Sequence, residues 1–571
     1  MYNPHSRRTT TRDIVKLYVE RKAALRQWFQ ANKQRVSLTT DIWISQVTGA
    51  SYMVITAHYI DKYWRLKKLI IGFKYVTDHK GKTIANTLLD CLAEWGIEKV
   101  FCVTVDNATA NSNALGKFQS SFSLLRADSF MMNGCYMHMR CAGHIINLIV
   151  KDGLADVDKS VIAVRNAISY VRSGTNRRES FEQKVVGRMT RGSLPLDVKT
   201  RRNSTYLMLK QAIKFRGGFD RMESEDKLYN DHFLEIDNDN RKRIGPPSYN
   251  DWQSVQRMVK FLGIFYQSTL VVSASTTLNA HKCYGEIVNI ASKLHLLCCS
   301  PDSEVKVKAE EMYLKFDKYW DGLKNINKML IIATVFDPRK KMQFATLCLE
   351  GLYGQESSTA AVLGETLLLI LRNMYNEYAE RYNQANVQVQ QAQTQTQAET
   401  SSQNQSQNTK ETQDQSQDID EEMLDGYNPV EQRYNTLLRE IGVRDTNELE
   451  AYLREAVENP EVMMGIEFDI LSWWKVNCGK YPILSEMARD LFAMQVSSVA
   501  SESAFSTSGR IIEPYRSCLT HYMVEVLMCT EQWLKQDIKV ESRVLTNAQI
   551  LAEFEYEDDL QREFGALNLD P

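Results

Sequence analysis

Asp106 ends an apolar run, Val100–Val105, that begins soon after Gly96 and stops in a polar turn. Such a run reads as a strand buried on both faces. A carboxylate at its end is costly unless something pairs with it. Taken alone, Asp106 also fits a cap on the next helix, with Asn107, Asn111 and Asn113 following. Asp41 lies near the middle of a second strand-like stretch, RVSLTTDIWI. Two close carboxylates repel unless a cation or proton intervenes. Oxygen-only ligands suit Mg²⁺, whose shell is completed by water and substrate phosphates. Two such ions can activate a nucleophile and stabilise a leaving oxygen in phosphoryl transfer. A third carboxylate is usually needed, and nothing near in sequence supplies it. Glu502 sits far along the chain among Ser497, Ser498, Ala500, Ser501, Ser503 and Ala504. Small neighbours let a helix approach other backbone or a ligand, and they fit a surface Glu on a tightly packed helix equally well.

The elements that would position these acids follow from periodicity. After a polar lead-in and a helix carrying Ile14, Leu17, Tyr18 and Leu25, the chain turns to strand chemistry at Val36. RVSLTTDIWI, SYMVITAHYID and WRLKKLIIGFKYV, joined by short links, read as an antiparallel meander. His79–Trp95 reads as a helix with Ile84, Leu88, Leu92 and Trp95 on one face and Gly96 as its stop. The strand to Asp106 follows, then a helix over Ala114–Leu124, a short strand within Gly134–Met139, and a helix with His144, Ile145, Leu148 and Ile149. Three antiparallel strands, helix, strand, helix, strand, helix is the order of an RNase H-like fold. In that topology the first strand lies beside the fourth, so Asp41 and Asp106 converge.

Composition bounds the rest. The 571 residues are 43% hydrophobic and 25% charged, which fits a soluble globular chain. A net charge of −2 means that any nucleic-acid surface is a local patch. Lys199–Arg202, Arg241–Arg243 and Arg339–Lys341 are the candidate phosphate contacts. Eleven scattered cysteines without a CxxC pair point to free thiols in a reducing compartment. No apolar run is long enough to span a bilayer, so no membrane partner is expected. From Lys151 to Tyr382 the pattern is mostly helical, including a buried helical or extended run at Met329–Val335. Asn383–Gln417 is Gln-, Ser-, Thr- and Asn-rich and reads as a disordered insertion.

The order of TTDIWIS, YMVITAHYID, TVDNATAN, HMRCAGHIINLIVKDGL, NSTYLML, IGPPSYNDW, FDPRKK, FDILSWWK and the Ser501–Leu519 segment resembles plant members of the hAT superfamily of DNA transposases. The resemblance is in particular to their RICESLEEPER- and DAYSLEEPER-like, transposase-derived proteins with BED zinc fingers. It implies an α/β plus α architecture. An RNase H-like (DDE transposase) core would be interrupted by a large all-helical insertion and completed by a C-terminal helical dimerisation region. The implied organisation is a lead-in at 1–35, the first part of the core at 36–155 and the insertion at 156–382. A Gln-rich disordered linker follows at 383–425, then the C-terminal region at 426–545 and a tail at 546–571.

The resemblance assigns the catalytic and metal-holding acids as Asp41, Asp106 and Glu502, with Mg²⁺ as cofactor if the chain is active. It puts Cys141 and His144, a CxxH pair, near the active site. Together with Lys199, Arg201 and Arg202 they are the expected DNA contacts. No zinc is expected, because a lone CxxH is not a zinc site. Trp473, Trp474, Leu519, Val524, Leu527 and Trp533 would be the apolar contacts of a dimer. Two departures stand out. The chain begins after the BED finger such proteins usually carry, and the family's TRWNST reads TRRNST here, with Arg202 in place of a base-stacking Trp. The resulting expectation is a nuclear, DNA-binding, dimerising protein without transposition. The alternatives are an active Mg²⁺-dependent transposase and a dimerisation partner that binds no DNA.

Overall fold

The computed structural model describes residues 6–32, 34–153, 158–185, 194–197, 202–236, 242–274, 277–320, 325–404, 433, 447–459, 468–512 and 519–537. At 152, 153, 158, 202, 385–404, 500, 502, 503, 506, 507 and 510 only the backbone is described. Helix α1 (Arg7–Ala31) starts at Ser6, whose hydroxyl accepts the Thr9 N–H. Strands β1 (Val36–Ile44), β2 (Ser51–Ile60) and β3 (Leu66–Val76) form the expected antiparallel meander. Helix α2 (Gly81–Trp95) ends at Gly96, held left-handed at φ 67°. A Cβ there would meet the Gln30 side chain at 2.9 Å, so the stop is both conformational and steric.

Strand β4 (Val100–Val105) is buried throughout, as its composition requires. Helix α3 (Thr109–Phe122) follows. Strand β5 spans only His138–Arg140, later than the expected Gly134 start. The preceding Met131–Gly134 winds into a 3₁₀ turn, with Met132 and Asn133 at positive φ. Helix α4 (Ala142–Gly153) then leaves the sheet. The sheet order is β3-β2-β1-β4-β5, with β4 parallel to both β1 and β5. The expected RNase H-like order is therefore present.

Among the described residues, eleven helices follow, from α5 (Asp158–Arg172) through α15 (Ser358–Asn404). Met329–Val335 lies in the buried helix α13 (Lys328–Val335). The Gln-rich stretch expected to be disordered from Asn383 instead enters as the end of α15, which runs to Asn404. Gln, Ala and Glu cost little in a helix even where no apolar face drives burial. Residues 405–432 and 434–446 lie outside the described residues.

Among the described residues five more helices follow: α16 (Glu448–Arg454), α17 (Ile470–Asn477), α18 (Pro482–Ala493), α19 (Val499–Ile511) and α20 (His521–Asp537). Helix α20 covers the outer edge of β3. The Gln532 amide accepts from Ile70 N at 3.1 Å and donates to Lys68 O at 2.6 Å, and Trp533 Nε1 donates to Ile70 O at 3.0 Å. An edge strand's unpaired backbone groups are thus satisfied by side chains instead of a further strand.

The basic residues of FDPRKK serve the fold, which corrects the expectation of a phosphate contact at Arg339–Lys341. The Arg339 guanidinium forks onto Asp337 at 2.9 and 2.7 Å. Lys341 is buried and donates to Tyr452 O at 2.8 Å and Glu455 O at 3.0 Å.

A buried polar cluster locks the sheet to the helices. Arg35, just before β1, meets Glu377 of α15 at 2.8 Å and Asp490 of α18 at 3.9 Å. Tyr378 donates to Asp490 at 2.5 Å, beneath the Arg35 guanidinium. Glu377 also accepts the Met132 N–H at 2.8 Å. Burial pushes the Asp490 carboxyl up to about 7, against the opposing pull of Arg35. An unfolded Asp titrates near 3.9, so the folded state holds this proton more tightly. The resulting stability is complete below about pH 4 and is lost as pH rises through about 7. Thermal unfolding of Asp490→Asn should therefore lose less stability than the native chain between pH 5 and pH 8. Equal losses in the two proteins would contradict this.

Candidate active site

The two aspartates are placed by strand register. β1 and β4 run parallel with Leu38 beside Val103 and Thr39 beside Thr104. Asp41 and Asp106 each stand two residues further on. By that register they lie side by side, Asp41 within β1 and Asp106 one residue past β4, on strands about 4.8 Å apart. Both are half-buried. Asp41 Oδ1 accepts the Ile42 N–H at 2.8 Å. Asp106 Oδ1 accepts the Ala108 N–H at 2.9 Å and the Asn111 side-chain amide. Asp106 is thus not the cap expected of it, since the N-cap of α3 is Ala108, without a side-chain cap bond; the Asp106 carboxylate instead closes the turn before the helix and reaches Asn111 in the first turn. Next to Asp106, both amide atoms of Asn107 are buried without a partner among the described residues.

The chain returns to this part of the sheet from far away. Thr104 Oγ1 donates to Gln495 O at 2.6 Å, and the Ala142 N–H donates to Val496 O at 2.8 Å. Ser501 Oγ donates to Thr39 Oγ1 at 3.1 Å, across 462 residues of sequence. Thr39 also meets His58 Nε2 at 3.2 Å. Burial, aided by Lys68, holds the His58 ring down to about 3, so it is neutral at neutral pH. The backbone of Glu502 follows Ser501 directly on α19, one residue past a contact made two residues short of Asp41. Its side chain lies outside the described residues.

Two aspartates side by side offer the oxygen-only donors that Mg²⁺ takes, and so fit that ion as part of a larger set. Among the described residues, no group of three His, Cys, Asp or Glu side chains stands close enough to hold a metal.

Cys141 is a staple of this region. It is 2% exposed. Its Sγ accepts the His144 N–H and the Ser498 N–H, both at 3.3 Å, and its own N–H donates to Val105 O at 2.9 Å. A thiol so enclosed cannot touch a duplex, which corrects its reading as a DNA contact. His144 is half-buried in the first turn of α4. Lys199, Arg201 and the side chain of Arg202 lie outside the described residues. Arg202 opens helix α7 (Arg202–Lys214). Behind that helix, Asp197 is gripped by Arg165 at 2.7 Å through both oxygens and by Thr205 at 2.9 Å. Although burial raises it, these bonds hold the Asp197 carboxyl below the usual range.

The residues expected at a dimer contact are largely spent inside one chain. Trp474 is fully buried, stacks on Phe336 at 5.4 Å and donates to Phe336 O at 3.1 Å. Trp533 is 3% exposed and stacks on Tyr18 at 5.4 Å, and Val524 is buried. Trp473 is half-buried, stacks on Tyr481 at 6.5 Å and donates to Glu458 at 3.0 Å. Leu519 and Leu527 are half-buried against the core. Surface already removed from water within the monomer cannot be buried again between monomers. Apolar surface that remains on this part of the chain includes Val476, Tyr522 and Leu534.

Sequence reading missed Thr39, Thr104, Gln495 and Ser501. A signal was present: each aspartate is preceded by Thr at the second position back, as in TTD and TVD. Thr39→Val keeps the shape but strips Ser501 and His58 of a buried partner. That should cost about 1–3 kcal/mol in denaturant unfolding. An unchanged midpoint and slope would show that the polar seam is not holding α19.

Four family descriptions cover most of this architecture. The ZBED1 RNase-like domain matches residues 39–135 and the ZBED1 RNase-like helical domain matches 139–261. The hAT-like transposase, RNase-H fold, matches 281–378, a stretch whose described elements are all helices. The hAT family C-terminal dimerisation region matches 448–534. Among curated relatives, a maize (Zea mays) protein with the name "Putative AC transposase" is 30% identical over 93% of this chain and 60% of its own length. RICESLEEPER 2, a zinc finger BED domain-containing protein of Oryza sativa subsp. japonica, is 27% identical over 92% of this chain and 68% of its own length. DAYSLEEPER of Arabidopsis thaliana is 25% identical over 94% of this chain and 69% of its own length. The chain thus spans about three fifths of the maize relative. The sheet thus has the RNase H order, and the stretches around and after it are similar to domains described for ZBED1 and for hAT transposases, including the hAT C-terminal dimerisation region.

Proposed function

We propose that this chain is a transposase-derived nuclear protein that binds DNA and self-associates, and that it does not carry out transposition. The observation that carries the reading is Arg202, in TRRNST, at the position where the family has a base-stacking Trp. Stacking on an aromatic side chain is worth about 1–3 kcal/mol per base. Arg keeps charge and phosphate affinity but gives up a flat apolar wall for positioning a cleaved end. The match to the hAT C-terminal dimerisation region supports self-association.

A second reading is favoured by the strand register. Asp41 within β1, Asp106 just past β4 and Glu502 on α19 would then be the three carboxylates of a DDE site. Bound Mg²⁺ would supply Lewis-acid activation of a water or hydroxyl for DNA strand cleavage. Asp41 and Asp106, with Glu502, would hold it.

The two readings separate in one set of assays with the purified chain, duplex DNA and Mg²⁺. The first predicts binding that weakens steeply with salt, by a log–log slope of about 0.9 per neutralised phosphate, and no cleaved or joined product. Cleavage lost in Glu502→Gln would overturn it in favour of the second. Light scattering of the full chain should give a dimer or a multiple of one. A monomer at micromolar concentration would contradict self-association.

A further inference from the structure

A groove of about 310 Å³ lies at the end of the sheet opposite the two aspartates, between α1 and the β2–β3 turn. Its position follows from the antiparallel ladder. Asp41 pairs with Val54, while the groove is reached through Tyr59 and Asp61 at the far end of β2. Five to seven residues of strand separate them, or about 16–23 Å.

The floor is apolar and aromatic. Leu25 and Trp28 come from one face of α1, and the Trp28 ring packs on Tyr59 at 4.4 Å. The rim is cationic. Arg21, Lys62 and Lys67 line it. Tyr63, 56% exposed, carries Lys62 and Arg65 over its ring at 5.1 and 4.9 Å. The one carboxylate of the lining, Asp61, is already taken by Arg65 at 3.0 Å and by the Tyr63 and Arg65 backbone N–H groups at 2.9 Å. The rim is therefore positive in a chain whose formal charge is −2.

Nothing in the acid site calls for cations here. What fits a flat apolar floor under a cationic rim is a peptide with bulky apolar anchors flanked by carboxylates. The chain contains such a segment. Leu551–Leu560, LAEFEYEDDL, interleaves Phe554 and Tyr556 with five carboxylates, and it lies outside the described residues. Helix α20, which leads to it, runs antiparallel to β3. His521 touches Tyr52 beside Tyr75, and Gln532 binds Lys68 and Ile70. The helix thus heads toward Lys67, and its last residue, Asp537, is five residues past Gln532, about 7.5 Å along the axis. The thirteen residues from 538 to 550 can span up to about 44 Å, far more than the remaining gap requires.

We infer that the groove between α1 and the β2–β3 turn is the docking site of the chain's own acidic segment Leu551–Leu560. The aromatic side chains of that segment seat on Trp28 and Tyr59, and its carboxylates face Arg21, Lys62 and Lys67. The docked segment covers the open end of the sheet and lies across the same residues that join α1 to the hairpin.

Carbodiimide coupling of the full native chain tests this directly, because it joins a lysine amine to a carboxylate in contact with it. Peptide mass spectrometry should find Lys62 or Lys67 joined to an acid between Glu553 and Asp559. In a mixture of ¹⁵N-labelled and unlabelled chains, the linked peptides should carry one label only. The product should be lost at high salt and fall several-fold in Arg21→Glu, with Lys62 itself still present to react. Lys62 and Lys67 both joined only to acids outside 553–559, joined to the segment of a second copy, or neither joined at all would each overturn the inference.

Discussion

The hydroxyl seam of Thr39 and Thr104 is the constraint on which this architecture turns. These side chains stand next to one another on the middle strands and are buried, so each must find a partner within the protein. The partners come from residues 495 to 501, near the other end of the chain. A buried hydroxyl satisfied by a distant segment does more than add a bond. The Ser501 hydroxyl also fixes which residue of that segment faces Thr39, since a neighbour without a hydroxyl there would leave Thr39 without that bond. Helix α19 is thereby held on the strand face that carries Asp41 and Asp106. Cys141 repeats the device on the neighbouring edge, with one sulfur accepting from two segments.

Such a seam explains how an α/β core tolerates an insertion of several hundred residues. The insertion is itself anchored at the opposite end of β1, where Arg35 meets Glu377 and Asp490. β1 is thus gripped at its start by α15 and α18 and in its middle by α19. The strand carrying Asp41 is therefore held at two points along its length. The family descriptions follow one another along the chain as RNase-like, helical, RNase-H fold and C-terminal stretches.

Much of this was legible in the residues. The meander, the buried strand before Asp106 and the stop at Gly96 follow from alternation, apolar runs and glycine chemistry. The pairing of β1 with β4 followed from element order. What local pattern could not reveal was where apolar and basic residues are used. Trp474 and Trp533 look like interface residues because they lie on amphipathic helices, yet the apolar faces they belong to are buried against Phe336 and Tyr18 of the same chain. Arg339 and Lys341 look like a phosphate patch, but one holds Asp337 and the other caps the carbonyls that end α16. The Gln-rich stretch lacks an apolar face and still continues α15 as far as Asn404, because helix propensity needs no core. In each case the deciding partner lies far away in sequence or is the backbone itself.

The proposal that Asp41, Asp106 and Glu502 belong to one site requires that three carboxylates spanning more than 450 residues form one divalent-cation site. Anomalous scattering from crystals of the full chain grown with Mn²⁺ in place of Mg²⁺ tests it most directly. The account predicts a peak between Asp41 and Asp106 with the Glu502 carboxylate within the ion's coordination shell, about 2–2.2 Å from the metal or bridged to it by one water. No peak between the two aspartates, or a Glu502 carboxylate more than about 10 Å from both, would contradict it.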